Sequence, residues 1–196
     1  MERLYILAPA AIGVAFLVSM FGVYAVLCTM GRVPVVDGLE RRKFTELFGP
    51  FLVRYMLWLI RPVERACAGR VSPNTLTLVS MAACAGSGAA AALGHLATGA
   101  WFYLLAGILD ILDGRLARAT GKQGQAGALF DSVSDRWGEL FVFTGFAWYL
   151  RETPWLFVVM MAMSGSMMVS YTRARGEGLG IDLDGGMMQR AERITL

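Results

Sequence analysis

Apolar residues come in long blocks set apart by short polar or charged breaks. Residues 4–30 carry no charge over about 27 positions, enough to cross a hydrocarbon core as a helix with some tilt. Residues 31–70 change character, with Arg32, Arg41, Arg42, Lys43, Arg54, Arg61, Arg65 and Arg70 interleaved with Phe48, Phe51, Tyr55, Trp58 and Leu59. Within them, residues 45–67 set their apolar side chains mainly on one side of a helix. Such a helix lies along the lipid headgroups with its arginines snorkelling outward, and Pro62 is a place for it to bend. Ser72-Pro73-Asn74 then starts a helix, Pro73 suiting its first turn, and residues 76–93 continue it as an apolar run rich in Ala and Gly. Residues 94–99 read as a turn holding the single histidine, His95, an ordinary loop residue. Residues 101–119 and 126–150 form the next two spans. Arg151-Glu152-Thr153-Pro154 turns the chain, and residues 155–172 cross again.

This pattern predicts an all-α integral membrane protein, a polytopic helical bundle. Residues 1–33 form an N-terminal transmembrane helix, 34–71 a basic amphipathic juxtamembrane segment, and 72–196 a helical domain. Composition agrees: 56% of residues are hydrophobic, 17% are charged and the mean hydropathy is +0.54, against a charged share of about a quarter in ordinary soluble domains. The first block is too long for the apolar region of a signal peptide. Glu2 stands beside Arg3 ahead of it, and no small-x-small cleavage pattern precedes a soluble domain, so it reads as a retained helix. A net charge of +3, with no basic arm and no zinc-ligand pattern, speaks against a nucleic acid polymer as partner. Cys28, Cys67 and Cys84 lie in separate segments without CxxC spacing and read as buried small residues.

Charge position is more informative than charge total. If the blocks alternate across the membrane, Arg3, His95 and Arg151 share one side. Arg32 to Arg70, Arg115 to Lys122 and Arg173 to Arg193 share the other. The positive-inside rule makes that second side cytoplasmic.

Four carboxylates stand at the ends of apolar spans on this basic side: Asp110, Asp113, Asp131 and Asp135. A charge in such a place costs several kcal/mol unless it is solvated or paired. Asp110 and Asp113 are spaced i, i+3 and Asp131 and Asp135 i, i+4, so at roughly 100° per residue each pair falls on one face of its own helix. Two such faces turned together make a four-carboxylate cage. The ligand set is all hard oxygen, which suits Mg²⁺ or Mn²⁺ rather than zinc or copper. Between the pairs, Gly114, Gly121, Gly124 and Gly127 allow close approach to backbone, and Arg115, Arg118 and Lys122 supply positive charge, a combination suited to a phosphate ligand.

The whole spacing is D-x2-D-G-x2-A-R-x8-G-x3-D-x3-D, filled by Asp110, Asp113, Gly114, Ala117, Arg118, Gly127, Asp131 and Asp135. It resembles the signature of the CDP-alcohol phosphatidyltransferase family at every position, and SPNTLT at 72–77 resembles the start of that family's first core helix. The resemblance covers about residues 72–193. It implies a domain of six core helices, of which this sequence accounts for four, with one extra helix in front; the last two are expected to be lacking. It further implies a membrane transferase of phospholipid biosynthesis that joins a CDP-linked donor to an alcohol and releases CMP. By the same resemblance, Asp110, Asp113 and Asp131 are metal ligands and Asp135 is a ligand or the catalytic base. Asp113, Gly114, Arg118 and Gly127 line the nucleotide, Mg²⁺ or Mn²⁺ is the cofactor, and a homodimer is implied.

The tail from Arg173 onward is polar and Gly-rich and holds Arg173, Arg175, Arg190 and Arg193. So many guanidinium groups favour an acceptor that carries phosphate, with Arg173, Arg190 and Arg193 binding it. The expected reaction is therefore phosphatidyl transfer from CDP-diacylglycerol in the membrane to a soluble phosphorylated polyol such as glycerol phosphate or inositol phosphate. The competing reading within the family is a CDP-choline or CDP-ethanolamine phosphotransferase acting on diacylglycerol. A membrane prenyltransferase also uses Asp-rich helices with Mg²⁺ but lacks the D-G-x2-A-R join, and a Mg²⁺ carrier needs carboxylates lining a path across the membrane. The expected location is the cell membrane, multi-pass, with the active site facing the cytoplasm.

Charge segregation predicts the amino terminus outside and residues 110–135 inside. In a variant lacking Cys28, Cys67 and Cys84, a cysteine placed by Gln123→Cys should resist an impermeant thiol reagent in intact cells and react once the membrane is opened. Labelling in intact cells would reverse the topology.

Overall fold

Ser72 shows how the sequence starts the helix on which its neighbours depend. Its backbone is extended (φ −80°, ψ 147°), its hydroxyl oxygen accepts from the Thr75 N–H at 3.2 Å, and Pro73 occupies the first turn, where no N–H is needed. The computed structural model describes residues 2–32, 50–67, 69–121 and 124–181. These form six helices: α1 (Glu2–Thr29), α2 (Pro50–Cys67), α3 (Pro73–Ala92), α4 (Leu96–Ala119), α5 (Gln125–Tyr149) and α6 (Trp155–Gly178), with no strand among the described residues. Two compact units emerge, Met1–Pro62 and Val63–Gly186, divided inside α2 and so within the 34–71 segment that the sequence sets apart.

In the first unit an aromatic seam joins α1 to the start of α2. The Tyr55 hydroxyl donates to the Leu17 carbonyl at 2.7 Å, and the Tyr24 ring lies 5.5 Å from both Tyr55 and Trp58. Tyr24 and Tyr55 are buried. Residues 45–49 of the expected interfacial helix lie outside the described residues.

The second unit is built on α3. Its buried positions are mostly small: Thr77, Ser80, Ala83, Cys84, Ser87, Gly88, Ala90 and Ala91. Small side chains let helix backbones approach closely, the main way to gain packing where lipid is as apolar as the protein. α3 packs along both α4 and α5, and α4 and α5 pack on α3 far more than on each other. Toward α4, Ser80 donates to the Ala106 carbonyl at 2.9 Å, and Ala83, Cys84 and Ala106 form a small core with Tyr103 and Val142 against it. Toward α5 the approach is backbone to backbone. A Cβ on Gly88 would overlap the Phe141 carbonyl, and one on Gly145 would overlap the Gly88 carbonyl. α6 makes fewer contacts, chiefly with α5, and exposes large apolar side chains such as Trp155 and Phe157.

α3, α4 and α6 are long and apolar enough to cross a membrane. α5, at 25 residues, is long enough, but Asp131, Asp135, Arg136 and Glu139 raise its polarity. The protein is thus an all-helical, multi-pass membrane protein.

Three sequence expectations change. The turn at 94–99 is shorter: Gly94 adopts φ +81°, its N–H and that of His95 return to the carbonyls of Ala91 and Ala90, and α4 begins at Leu96. Gly99 is not a loop glycine but a packing residue inside α4, buried against the Ser87 carbonyl. α6 continues to Gly178, past Arg173 and Arg175, because charge ends an apolar run without ending backbone hydrogen bonding. Finally, Cys84 is buried as expected, whereas Cys28 and Cys67 are only partly so.

The α3–α5 approach predicts that Gly88→Ala and Gly145→Ala each cost about 1–3 kcal/mol, since backbone must move to admit a methyl group. Gly165→Ala in α6, where a Cβ would meet nothing within 4 Å, should be neutral or stabilise by up to about 1 kcal/mol. Thermal unfolding of the detergent-solubilised protein compares the three.

Candidate active site

The i, i+3 spacing puts Asp110 and Asp113 together near the end of α4, and Asp131 lies near the start of α5. Each offers a carboxylate oxygen, and these oxygens all lie within 4.8 Å of one another. Asp113 is buried and the other two are partly exposed. Opposed ligands of an octahedral Mg²⁺ stand about 4.2 Å apart, given Mg–O distances near 2.1 Å. A hard divalent cation therefore fits this donor set with little movement. Asp135 is one turn further along α5 and does not belong to that group of three. Its Oδ2 lies 3.9 Å from the Arg136 guanidinium.

The buried carboxylate is held from α3. Thr77, itself buried, donates its hydroxyl to Asp113 Oδ2 at 2.6 Å. The same hydroxyl is 3.2 Å from the Pro73 carbonyl, and its single proton goes to the nearer, charged acceptor. Sequence reasoning does not single out Thr77, although it closes the SPNTLT stretch and stands one turn after Pro73.

Arg115 also has a partner that local spacing does not reveal. Its Nε donates to Glu64 of α2 at 2.7 Å and its Nη2 lies 2.6 Å from the same oxygen, both side chains being largely buried. Arg115 is therefore committed to Glu64 rather than left to a phosphate. Arg118 lies along Gly114, and a Cβ there would sit 3.5 Å from its guanidinium. Gly127 stands in the first turn of α5 with nothing within 4 Å of where a Cβ would be. That turn holds no acidic side chain and leaves N–H groups for an anion. Arg173 and Arg175 are exposed near the end of α6. Lys122, Arg190 and Arg193 lie outside the described residues.

Cation-binding carboxylates beside a glycine, an arginine and an open helix start suit a diphosphate that bridges metal and backbone. Comparison with known proteins agrees. The model of the family described as CDP-alcohol phosphatidyltransferase matches residues 70–194. Phosphatidylinositol phosphate synthase of Mycobacterium tuberculosis is 32% identical over 134 residues, 64% of this chain and 60% of that protein. The chain thus spans about 60% of the length of such relatives. Archaetidylinositol phosphate synthase of Methanothermobacter thermautotrophicus is 35% identical over 154 residues, 75% of this chain and 77% of that one. Among solved structures, the M. tuberculosis phosphatidylinositol phosphate synthase with CDP-DAG bound superposes with a TM-score of 0.63 at 28% identity, covering 70% of this chain and 72% of that one. The same enzyme has also been solved with manganese and citrate, matching with a TM-score of 0.63 and covering 69% of this chain and 68% of that one. By motif, helix packing and descent alike, the chain belongs to the CDP-alcohol phosphatidyltransferase family.

Proposed function

We propose that the protein transfers a phosphatidyl group from CDP-diacylglycerol to a hydroxyl of an inositol phosphate, releasing CMP, as a step of phospholipid biosynthesis. The observation that carries this is the convergence of Asp110, Asp113 and Asp131 to within 4.8 Å at the D-G-x2-A-R join. The choice of acceptor is supported by the relatives, which are named for inositol phosphate products.

In this reading Asp110, Asp113 and Asp131 hold the cofactor, and Thr77 keeps the buried Asp113 oriented. Mg²⁺ or Mn²⁺ bound there would neutralise the donor's diphosphate and compensate the charge of the departing CMP. Gly114, Arg118, Gly127 and the start of α5 cradle the nucleotide. Asp135 takes the proton of the attacking hydroxyl. That oxygen forms a bond to the phosphorus that carries diacylglycerol, the bond from that phosphorus to CMP breaks, and a phosphodiester remains. Arg173, near the end of α6, binds the acceptor's phosphate, with Arg190 and Arg193 as further candidates. The site opens to the cytoplasm, where a soluble sugar phosphate is available, consistent with the charge bias of the sequence.

Turnover of labelled CDP-diacylglycerol by the full-length protein, offered inositol phosphate, glycerol phosphate and free inositol in turn, tests the whole reading. Inositol phosphate should be preferred, and preference for an acceptor without phosphate would refute it. Within that assay, Asp135→Asn should lower turnover about 10²–10⁴-fold while leaving the metal dependence of donor binding nearly unchanged. Asp113→Asn should damage both, and an equal loss of metal dependence in the two variants would move Asp135 among the ligands.

Arg173→Ala should raise the acceptor's KM about ten- to hundredfold, as loss of a charge-assisted contact worth roughly 1.5–3 kcal/mol does, with the donor's KM little changed. Steady-state kinetics in both substrates read that difference.

A further inference from the structure

The α5–α6 seam holds charge that the reaction as described does not use. Arg136 and Glu139, spaced i, i+3 on α5, are both largely buried, a costly arrangement in a membrane helix unless it serves a purpose. Their partners are two serines spaced i, i+4 on α6. Ser166 donates to Glu139 Oε2 at 2.7 Å, and Arg136 Nη1 donates to the Ser170 hydroxyl. Glu139 Oε1 lies 3.4 Å from Arg136 Nη2, which in turn lies 3.9 Å from Asp135 Oδ2. The result is two polar rungs one turn apart, running in the sense expected of antiparallel neighbours: the later residue on α5 meets the earlier one on α6.

Little else fixes α6. Among the described residues it packs chiefly on α5, and its apolar side chains are mostly exposed. Apolar contact along a helix tolerates sliding, whereas a hydroxyl bonded to a carboxylate is met at one height and one rotation only. Continuing the register of the two rungs, Arg173, three residues beyond Ser170, comes level with residues 132–133 of α5. That is the height between Asp131 and Asp135.

We propose that Glu139–Ser166 and Arg136–Ser170 are positioning contacts that set the register of α6 on α5 and so fix the height of the acceptor's phosphate-binding arginine relative to the base. This rests on the reading of Arg173 and Asp135 given above. The donor half of the site, built on α3, α4 and the start of α5, does not depend on α6. A shift of α6 should therefore be felt by one substrate and not by the other.

Ser166→Ala removes one hydroxyl and Glu139→Ala removes a whole rung; the former keeps the test available should the latter not fold. In the full-length protein each should raise the acceptor's KM about tenfold, within what a small misplacement of a substrate-positioning group costs, while the donor's KM changes less than about twofold. Ser166→Thr, which keeps the hydroxyl, should restore the native value. Register is read without substrate by the distance between spin labels at Val133→Cys and Glu177→Cys, both exposed in the native chain, in a variant otherwise free of cysteine. That distance should shift or broaden in Ser166→Ala and Glu139→Ala. An unchanged distance overturns the proposal, as does a shifted distance with an unchanged acceptor KM or with equal effects on both substrates. Arg173→Ala measured alongside separates the two ideas. No effect there removes the acceptor reading and this one with it, whereas a selective effect there and none at the seam removes this one alone.

Discussion

Three carboxylates gathered within 4.8 Å repel one another, and the rest of the helical domain is a means of holding them together regardless. At an effective dielectric of about 20, two unit charges at that separation cost roughly 3–4 kcal/mol. Three such pairs, when all are ionised, approach the whole net stability of an ordinary domain, about 5–15 kcal/mol. A scaffold that could relax would do so. The one available here cannot relax cheaply, because α4 and α5 are each clamped to α3 by contacts with no slack: Ser80 to the Ala106 carbonyl on one side, and Gly88 against Phe141 and Gly145 on the other. A divalent cation held by the three would turn the repulsion into binding energy, and Thr77 secures the most buried of the three side chains.

This arrangement separates what was legible in the sequence from what was not. Periodicity tells which residues share a face, so the pairing of Asp110 with Asp113 and the nearness of both to the start of α5 could be read from spacing and a short connection. Spacing likewise puts Asp135 on the face of Asp131, one turn further along α5, but it does not tell which carboxylate oxygens lie closest together, and the three within 4.8 Å are those of Asp110, Asp113 and Asp131. Partners contributed by distant helices were illegible for a more general reason: a face says nothing of what it will meet. Thr77 with Asp113, Glu64 with Arg115 and Ser166 with Glu139 are separated by 36, 51 and 27 residues, and the first member of each pair looks locally like an ordinary polar residue of its helix. Helix limits failed where one residue type serves two purposes, Gly99 as packing surface rather than turn and Arg173 as a continuation of helix rather than its end.

The Glu64–Arg115 pair adds a consequence for α2. Arg115 follows the Asp113-Gly114 step directly, so the end of α2 is tied to the very turn of α4 that carries the metal-binding carboxylates. Both side chains are largely buried, where breaking one partner leaves an uncompensated charge. The end of α2 is thereby joined to the carboxylate-bearing turn of α4 through a largely buried ion pair.

Two kinds of contact thus hold the helices of the domain together. Close backbone packing through glycine and serine is unforgiving, since nearly every substitution adds volume, and it holds α4 and α5, the helices that carry the motif, to α3. The α5–α6 seam is held by hydroxyl, carboxylate and guanidinium groups, which can be exchanged for other hydrogen-bonding pairs with little change of volume. Hydrocarbon offers such groups no competing partners except one another, so each exchange selects a definite register rather than a looser fit. A fold built this way can keep α3, α4 and α5 fixed while α6 is reset by a few polar substitutions, without repacking the glycine-lined contact that keeps three aspartates in place.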